Sequence, residues 1–152
     1  MNFRILLISI LLLFGCSEET ERSAFLMPDV AWSFREGSYE NQKLFVEAVY
    51  QYNDELDSPI PEFYFQTSLP VSRVSVSYGY WVEKDDDWAE FREVVTIDSE
   101  SGMLSLGELL FKLHEAVRLN LADQDRSYFE GLEFTSSGST DQEYSFKLVL
   151  GS

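Results

Sequence analysis

Apolar residues recur at helical spacing in two stretches of the chain, which predicts two amphipathic helices. Residues 38–56 carry the first apolar stripe, and Ser38 is the predicted N-cap of this helix. Residues 106–121 carry the second stripe. Ser105, followed three residues later by Glu108, matches the capping box that begins many helices.

Alternation of apolar and polar residues predicts β-strands in much of the remaining sequence. The clearest strand is residues 72–82, where every second residue from Val74 onward is apolar. Residues 88–97 alternate in the same way, and residues 84–87 are predicted to close a hairpin between these two strands. Shorter strands are predicted at residues 31–35, 62–67, 128–135 and 143–150.

The order of these elements predicts an α+β fold, in which two helices pack on one face of an antiparallel sheet of about five to six strands. Residues 24–152 form a single α+β domain in this interpretation, which is a normal size for one hydrophobic core. The chain contains 3 Trp, 8 Tyr and 12 Phe residues, too many for a disordered acidic segment. They indicate a packed core.

The first residues differ in character from the rest. Arg4 precedes an apolar run at residues 5–14, which is about half the roughly 20 residues that a helix needs to cross a bilayer. This pattern is typical of a secretory signal peptide rather than a permanent membrane span. Cys16 follows the run and is the only cysteine in the sequence, which excludes disulfides within the chain and cysteine-based zinc sites.

The run ends in Leu13-Phe14-Gly15-Cys16, which resembles the lipobox of bacterial lipoproteins. In that family the signal peptide is removed before the cysteine, which is then acylated. The resemblance implies a signal peptide at residues 1–15, a lipid anchor on Cys16 and a tether at residues 16–23. It also implies a bacterial envelope protein, held at the outer membrane and facing the periplasm. The alternative is an ordinary signal peptide followed by a chance cysteine.

The chain is strongly acidic, with 11 Lys and Arg residues against 27 Asp and Glu residues and a net charge of −16. Arg4 is the only charged residue in positions 1–15, so the chain that begins at Cys16 has a net charge of −17. Such a charge disfavours nucleic acid as a partner and favours a basic protein. Solubility alone is the competing explanation for it.

The predicted hairpin is the candidate binding site because it combines many acids with two tryptophans. Carboxylates steer a basic partner towards a surface, and exposed tryptophans supply binding energy. The candidate partner-binding residues are Trp81, Glu83, Asp85, Asp86, Asp87, Trp88 and Glu90. The alternative is a solvated hairpin whose tryptophans belong to the core.

The sequence contains no recognisable catalytic motif, and we expect no enzyme activity, no cofactor and no metal. His114 is the only histidine and lies at the edge of the second apolar stripe, where a hydrogen-bonded or half-exposed packing residue is the usual case. The acidic run at residues 85–87 lacks the spaced pattern of a calcium loop, and the pair Asp123 and Asp125 stands almost alone.

A looser resemblance concerns residues 105–134, which read SLGELLFKLHEAVRLNLADQDRSYFEGLEF. They resemble the helix-then-strand segment of small bacterial immunity proteins that are encoded beside polymorphic toxins. The resemblance implies a protein that binds and blocks a toxin, and it assigns no functional residue.

Three functional hypotheses follow. The first is a lipid-anchored envelope protein that binds and neutralises a partner protein, namely a toxin. The second is an envelope lipoprotein that binds a small ligand or glycan through the aromatic side chains of residues 62–91. The third, least supported, is an enzyme that uses His114.

Overall fold

The computed structural model describes residues 25–85, 87–138 and 142–152. The predicted signal peptide, the predicted tether, the predicted lipidation site Cys16 and the candidate site residue Asp86 lie outside the described residues. The helices are α1 (Gln42–Glu55) and α2 (Leu106–Leu121). The strands are β1 (Phe25–Leu26), β2 (Trp32–Ser33), β3 (Ser68–Leu69), β4 (Arg73–Lys84), β5 (Asp87–Asp98), β6 (Leu104–Ser105), β7 (Tyr128–Ser137) and β8 (Glu143–Gly151).

Six of these strands form one sheet in the order β1-β7-β8-β4-β5, with β2 pairing with β7 beside β1. The predicted α+β fold, with two helices and about six strands, is confirmed. The sheet is mostly antiparallel, as predicted, and one pair departs from this, because β8 runs parallel to β4 from Arg73↔Glu143 to Ser77↔Lys147. The direction of β8 is fixed by its antiparallel pairing with β7, and this direction is also that of β4.

The two faces of the sheet differ because side chains alternate along each strand. One face is buried against the helices, and β4 contributes Val74, Val76 and Tyr78 to it. The helices contribute eight of the buried apolar side chains, namely Phe45, Val49, Leu106, Leu109, Leu110, Leu113, Val117 and Leu121. Each such side chain stabilises the fold by about 1.5–3 kcal/mol relative to exposure in water. We call the opposite face, which carries Ser77, Gly79 and Trp81, the open face.

The strand predicted at residues 62–67 is wrong. Tyr64–Gln66 form a 3-10 turn, and β3 begins only at Ser68, where it pairs with β6 in a separate two-stranded sheet. Phe63 has a φ of 64°, in the left-handed region, which interrupts an extended backbone. The apolar character of this segment arises because Phe65 is buried, with its ring 5.3 Å from that of Tyr50.

The sequence predicted the N-cap correctly for one of the two helices. Helix α1 is capped by Asn41, whose Oδ1 accepts a hydrogen bond of 3.1 Å from the Leu44 N–H, and not by Ser38 as predicted. Ser105 caps α2 as predicted, since its Oγ accepts a hydrogen bond of 3.1 Å from the Glu108 N–H. The Glu108 carboxylate forms an ion pair with Lys112 instead of completing the capping box.

Candidate binding surface on the hairpin of β4 and β5

The hairpin of β4 and β5 extends beyond the core of the domain. The two strands pair without a register shift from Arg73↔Asp98 to Lys84↔Asp87, and Asp85 begins the turn with a φ of 53°. Exposure rises along β4, since Tyr78 is buried whereas Val82 is exposed. The outer half of the hairpin is therefore a two-stranded arm in solvent.

Four of the predicted site residues share the open face of this arm. The register places Trp81 opposite Glu90 and Glu83 opposite Trp88, so that indole rings and carboxylates alternate on both strands. Trp81 is 52% exposed and Trp88 is 61% exposed, which shows that neither is a core residue. Diagonal neighbours in such a pair lie roughly 7–8 Å apart, within reach of aromatic side chains. Together these four residues form what we call the tryptophan patch.

The remaining predicted site residues do not belong to the tryptophan patch. Asp87 pairs with Lys84 on the face of the hairpin that is opposite to the patch. Asp85 lies in the turn at the tip of the arm. The structure therefore unites four of the seven predicted residues and separates these two, while Asp86 lies outside the described residues.

The open face continues from the tryptophan patch into a groove of about 900 Å³. The groove lies where β8 separates from β4, beyond the last pair of their ladder, Ser77↔Lys147. Gly79 leaves room here, because a Cβ atom at its position would lie 3.2 Å from the Glu90 carboxylate. The charged residues that line the groove are Glu90, Arg92, Asp123, Asp125, Arg126 and Lys147. This mixed lining contrasts with the acidic balance of the whole chain.

Gln124 holds the arm in place from the groove side. Its Oε1 accepts a hydrogen bond of 2.8 Å from the Trp81 N–H, and its Nε2 donates one of 3.0 Å to the Trp81 C=O. The side-chain amide thus takes the place of a neighbouring strand and satisfies backbone groups that β8 no longer reaches. Arg35 fixes this segment in turn by donating a hydrogen bond of 3.0 Å to the Gln124 C=O. The sequence interpretation missed Gln124, which has no local motif around it.

We expect Gln124→Ala to loosen the arm without unfolding the domain. The Trp81 amide then loses its partner, and its hydrogen exchange rate is expected to rise by about tenfold, the equivalent of one hydrogen bond of ~1.4 kcal/mol. Exchange measured by NMR gives the rate, and Gln51→Ala, which changes a surface amide on α1, is the matched control. An unchanged Trp81 rate in Gln124→Ala contradicts the assigned role.

A second set of hydrogen bonds holds the opposite face of the hairpin against α2. The Tyr78 and Tyr80 hydroxyls each donate a hydrogen bond of 2.8 Å to the Glu93 carboxylate, and Asn120 Nδ2 donates one of 2.8 Å to Tyr78 Oη. Both hydrogen bonds lower the pKa of Glu93, and the one from Tyr80 has the larger effect. Burial, with the Glu93 carboxylate as a further cause, raises the pKa of Tyr78 to about 12. The base of the arm is therefore tied on both faces, which pre-organises the tryptophan patch.

His114 is a buried packing residue, as predicted for a hydrogen-bonded histidine on α2. Trp32 Nε1–H donates a hydrogen bond of 3.1 Å to His114 Nδ1. His114 Nε2 must then carry the ring proton, which it donates to the Gly37 C=O at 2.9 Å. Both nitrogens are occupied in a ring with no exposed surface, stacked beside Phe34 with 6.0 Å between centroids. This arrangement fixes one neutral tautomer.

This histidine predicts how stability depends on pH, because burial lowers the pKa of His114 in the folded chain. Between its folded pKa and the unfolded value of about 6.5, only the unfolded chain binds the proton, so unfolding is favoured as the pH falls. We expect neutral His114 to make its full contribution to the free energy of unfolding above about pH 6.5. Below that pH, the free energy of unfolding should decline by up to ~1.4 kcal/mol per pH unit. Urea unfolding from about pH 5 to 8 measures the effect. His114→Gln does not titrate and must give a flatter profile, and parallel profiles would contradict the assignment.

Within the described residues, no group of three or more His, Cys, Asp or Glu side chains comes together as metal ligands would. Neither of the described helices has the length and apolar character needed to cross a membrane. The fold and the surface define an acidic α+β domain that presents an exposed tryptophan patch. No protein-family model, curated protein or solved structure matched this chain.

Proposed function

We propose that this chain is a lipid-anchored envelope protein that binds a basic partner protein and neutralises it, the partner being a toxin. The observation that carries the proposal is the tryptophan patch. Two indole rings, each more than half exposed, lie beside Glu83 and Glu90 on an arm that is tied at its base. Exposed, pre-organised tryptophans surrounded by charge are the side chains that dominate binding energy in protein interfaces.

The charge of the chain supports a basic partner. A net charge of −17 from Cys16 onward attracts a cationic protein over a distance and raises its association rate. Glu83 and Glu90 bring that charge into the patch itself. The indole rings then supply contact area at a low cost in conformational entropy, because a tryptophan side chain has only two rotatable bonds.

The sequence is the basis for proposing a lipid anchor and for proposing a toxin as the partner. The resemblance of residues 13–16 to a lipobox supports a lipid anchor on Cys16, and two or more acyl chains would give stable attachment to a membrane. The resemblance of residues 105–134 to immunity proteins suggests that the bound protein is a toxin delivered to the envelope. In this proposal the anchored domain binds the toxin at the membrane before the toxin acts.

Co-expression tests the proposal. The product of the adjacent gene is exported in a bacterial host, alone and together with the full chain, and growth and co-purification are measured. We expect growth to stop with the adjacent gene product alone, to resume with the full chain, and the two proteins to co-purify. Cys16→Ser is expected to keep binding in purified form and to protect less well, because the domain is no longer anchored. Equal killing with and without the full chain refutes the proposal.

The groove supports a second candidate, an envelope lipoprotein that binds a small ligand or glycan. Its volume of about 900 Å³ is suited to a ligand of several rings, and Trp81 and Trp88 lie at its wall with charged and amide groups nearby. Titration with cell-wall oligosaccharides, followed by tryptophan fluorescence, tests this candidate. A saturable change that Trp81→Ala abolishes, with no protein recovered in the co-expression experiment, favours it over the first.

A further inference from the structure

We propose that two copies of this chain associate edge to edge through β5, in an antiparallel pairing centred on Phe91. In the described part of the chain no strand pairs with the outer edge of β5, which is the last strand of the sheet. Proteins usually protect such edges with charged side chains, lysine above all, with proline or with a bulge. β5 contains neither lysine nor proline, and its ladder with β4 has no register shift.

The outward-facing backbone of β5 is available along its middle. In an antiparallel ladder alternate residues direct their N–H and C=O groups away from the partner strand. Two such groups are already used, because Trp88 N–H bonds to the Asp87 carboxylate at 2.8 Å and Asp98 C=O accepts from Lys112 at 3.0 Å. These two groups identify the even-numbered residues as the outward set. Glu90, Arg92 and Val94 lie between them and can pair with another strand.

The side chains of β5 are complementary to themselves in one register. When Phe91 faces its own copy, Glu90 lies opposite Arg92 of the second copy, and Trp88 lies opposite Val94. Both combinations occur twice by symmetry, and opposite charges or apolar pairs across strands are stabilising. Arg92 already forms an ion pair with Glu90 of its own chain at 3.2 Å, and its side chain is 80% exposed, so it can turn towards a second carboxylate.

The side chains of β5 that lie opposite the open face are also compatible with this register. Phe91 is 42% exposed, and its ring lies 5.9 Å from that of Tyr80 on β4. Pairing Phe91 with its copy would join two such aromatic pairs into one row across the interface. Ala89 would lie opposite Glu93 of the second copy, so the small residue leaves the hydrogen-bonded Glu93 carboxylate undisturbed.

The α2 helices of the two copies do not meet in this pairing. Helix α2 contacts β5 in the half that follows Phe91, through Lys112 at Asp98 and Asn120 at Glu93. Antiparallel pairing places this half beside the protruding arm of the second copy, not beside the second α2. The net negative charge of each chain opposes association, yet screening at physiological salt limits charge effects to about 8 Å. Contacts between the two β5 strands therefore determine whether the chains associate.

This inference goes beyond the proposed function and is tested without a partner protein, because it concerns the edge of β5. Two residues of the tryptophan patch, Trp88 and Glu90, belong to this edge. Trp81 lies on β4 and takes no part in it. A failure of toxin neutralisation thus leaves the pairing untouched, and a monomeric chain leaves the tryptophan patch available for binding. In the paired form, the two tryptophan patches would lie on the same side of one continuous sheet.

Cysteine cross-linking tests the register, with Cys16→Ser as the background of every variant so that one thiol remains. Phe91→Cys should form a disulfide-linked dimer under mild oxidation, because residues that face each other across such a pair have Cα atoms about 4.5–5.5 Å apart. Val94→Cys is the matched control. It faces Trp88 of the second copy, so the two thiols would lie roughly 20 Å apart and should not link. Equal cross-linking of both variants, or of neither, overturns the proposal.

Sedimentation equilibrium of the full chain, purified in a neutral detergent, tests the charge pairing. Glu90→Arg and Arg92→Glu each place like charges opposite each other twice, and each should raise the dimer dissociation constant by about tenfold. The double variant Glu90→Arg with Arg92→Glu restores opposite charges and should recover the dimer. Circular dichroism confirms that each variant is folded. A monomeric unsubstituted chain at about 100 μM, or a double variant as weak as either single one, overturns the proposal.

Discussion

Replacement of His114 by alanine is expected to lower the free energy of unfolding by about 3–5 kcal/mol. The substitution opens a cavity among the rings of Trp32, Phe34 and Phe45, which surround the imidazole. It also leaves Trp32 Nε1–H and the Gly37 C=O without the partner that each has in the folded chain. A buried polar group that loses its partner costs about 1–3 kcal/mol by itself.

Urea unfolding followed by circular dichroism measures this loss. Leu119→Ala is the matched control on the same helix, because Leu119 is 78% exposed, and its change should stay within about 0.5 kcal/mol. His114→Gln retains groups that can donate and accept hydrogen bonds, so it should fall between the two. A loss below about 1 kcal/mol for His114→Ala would show that the imidazole does not support the packing around it.

Truncation of either tryptophan of the patch is expected to weaken partner binding by about 30-fold or more, the equivalent of ~2 kcal/mol. Trp81 and Trp88 each expose more than half of their surface, so their loss leaves the stability of the domain within about 0.5 kcal/mol. Binding weakens because the partner would bury these rings. The domain keeps its stability because its own core does not bury them. Titration calorimetry with the partner recovered by co-expression gives the dissociation constants.

Phe63→Ala is the matched control for the tryptophan variants. Phe63 is a similarly exposed aromatic residue, 59% exposed, that lies outside the hairpin. It should bind the partner as the unsubstituted chain does. Trp81→Ala is the more decisive of the two variants, because only Trp88 also lies on β5 and its loss could act through the edge pairing. Full affinity in Trp81→Ala would mean that the partner binds elsewhere.

The sequence was sufficient to predict both faces of the hairpin. Side-chain direction alternates with a period of two, so the pattern along residues 72–82 and 88–97 assigns each residue to a face. A short turn then fixes which face of one strand joins which face of the other. This local chemistry predicted the hairpin, and the register brings Trp81 and Trp88 together. Their exposure was not predictable, because it depends on how far the arm extends beyond the helices.

Features that depend on contacts between distant segments were not predictable. The amide of Gln124 bonds to a backbone 43 residues away, and nothing in the neighbouring sequence marks it as a substitute strand. The parallel pairing of β4 with β8 has the same origin, since it follows from the hairpin of β8 with β7. The error at residues 62–67 had a different cause. Its aromatic residues have high strand propensity, but the left-handed backbone at Phe63 overrides it.

The central position of β8 in the sheet has a consequence for how the chain folds. Among the strands that the structure describes, only β8, which comprises residues 143–151, joins the hairpin of β4 and β5 to the rest of the sheet. During synthesis the earlier strands are made first, yet they cannot assemble into the sheet until β8 has been made. Closing such a long loop is slow, because its entropy is lost before the new contacts form. The sheet therefore cannot be completed until synthesis of the chain is nearly finished.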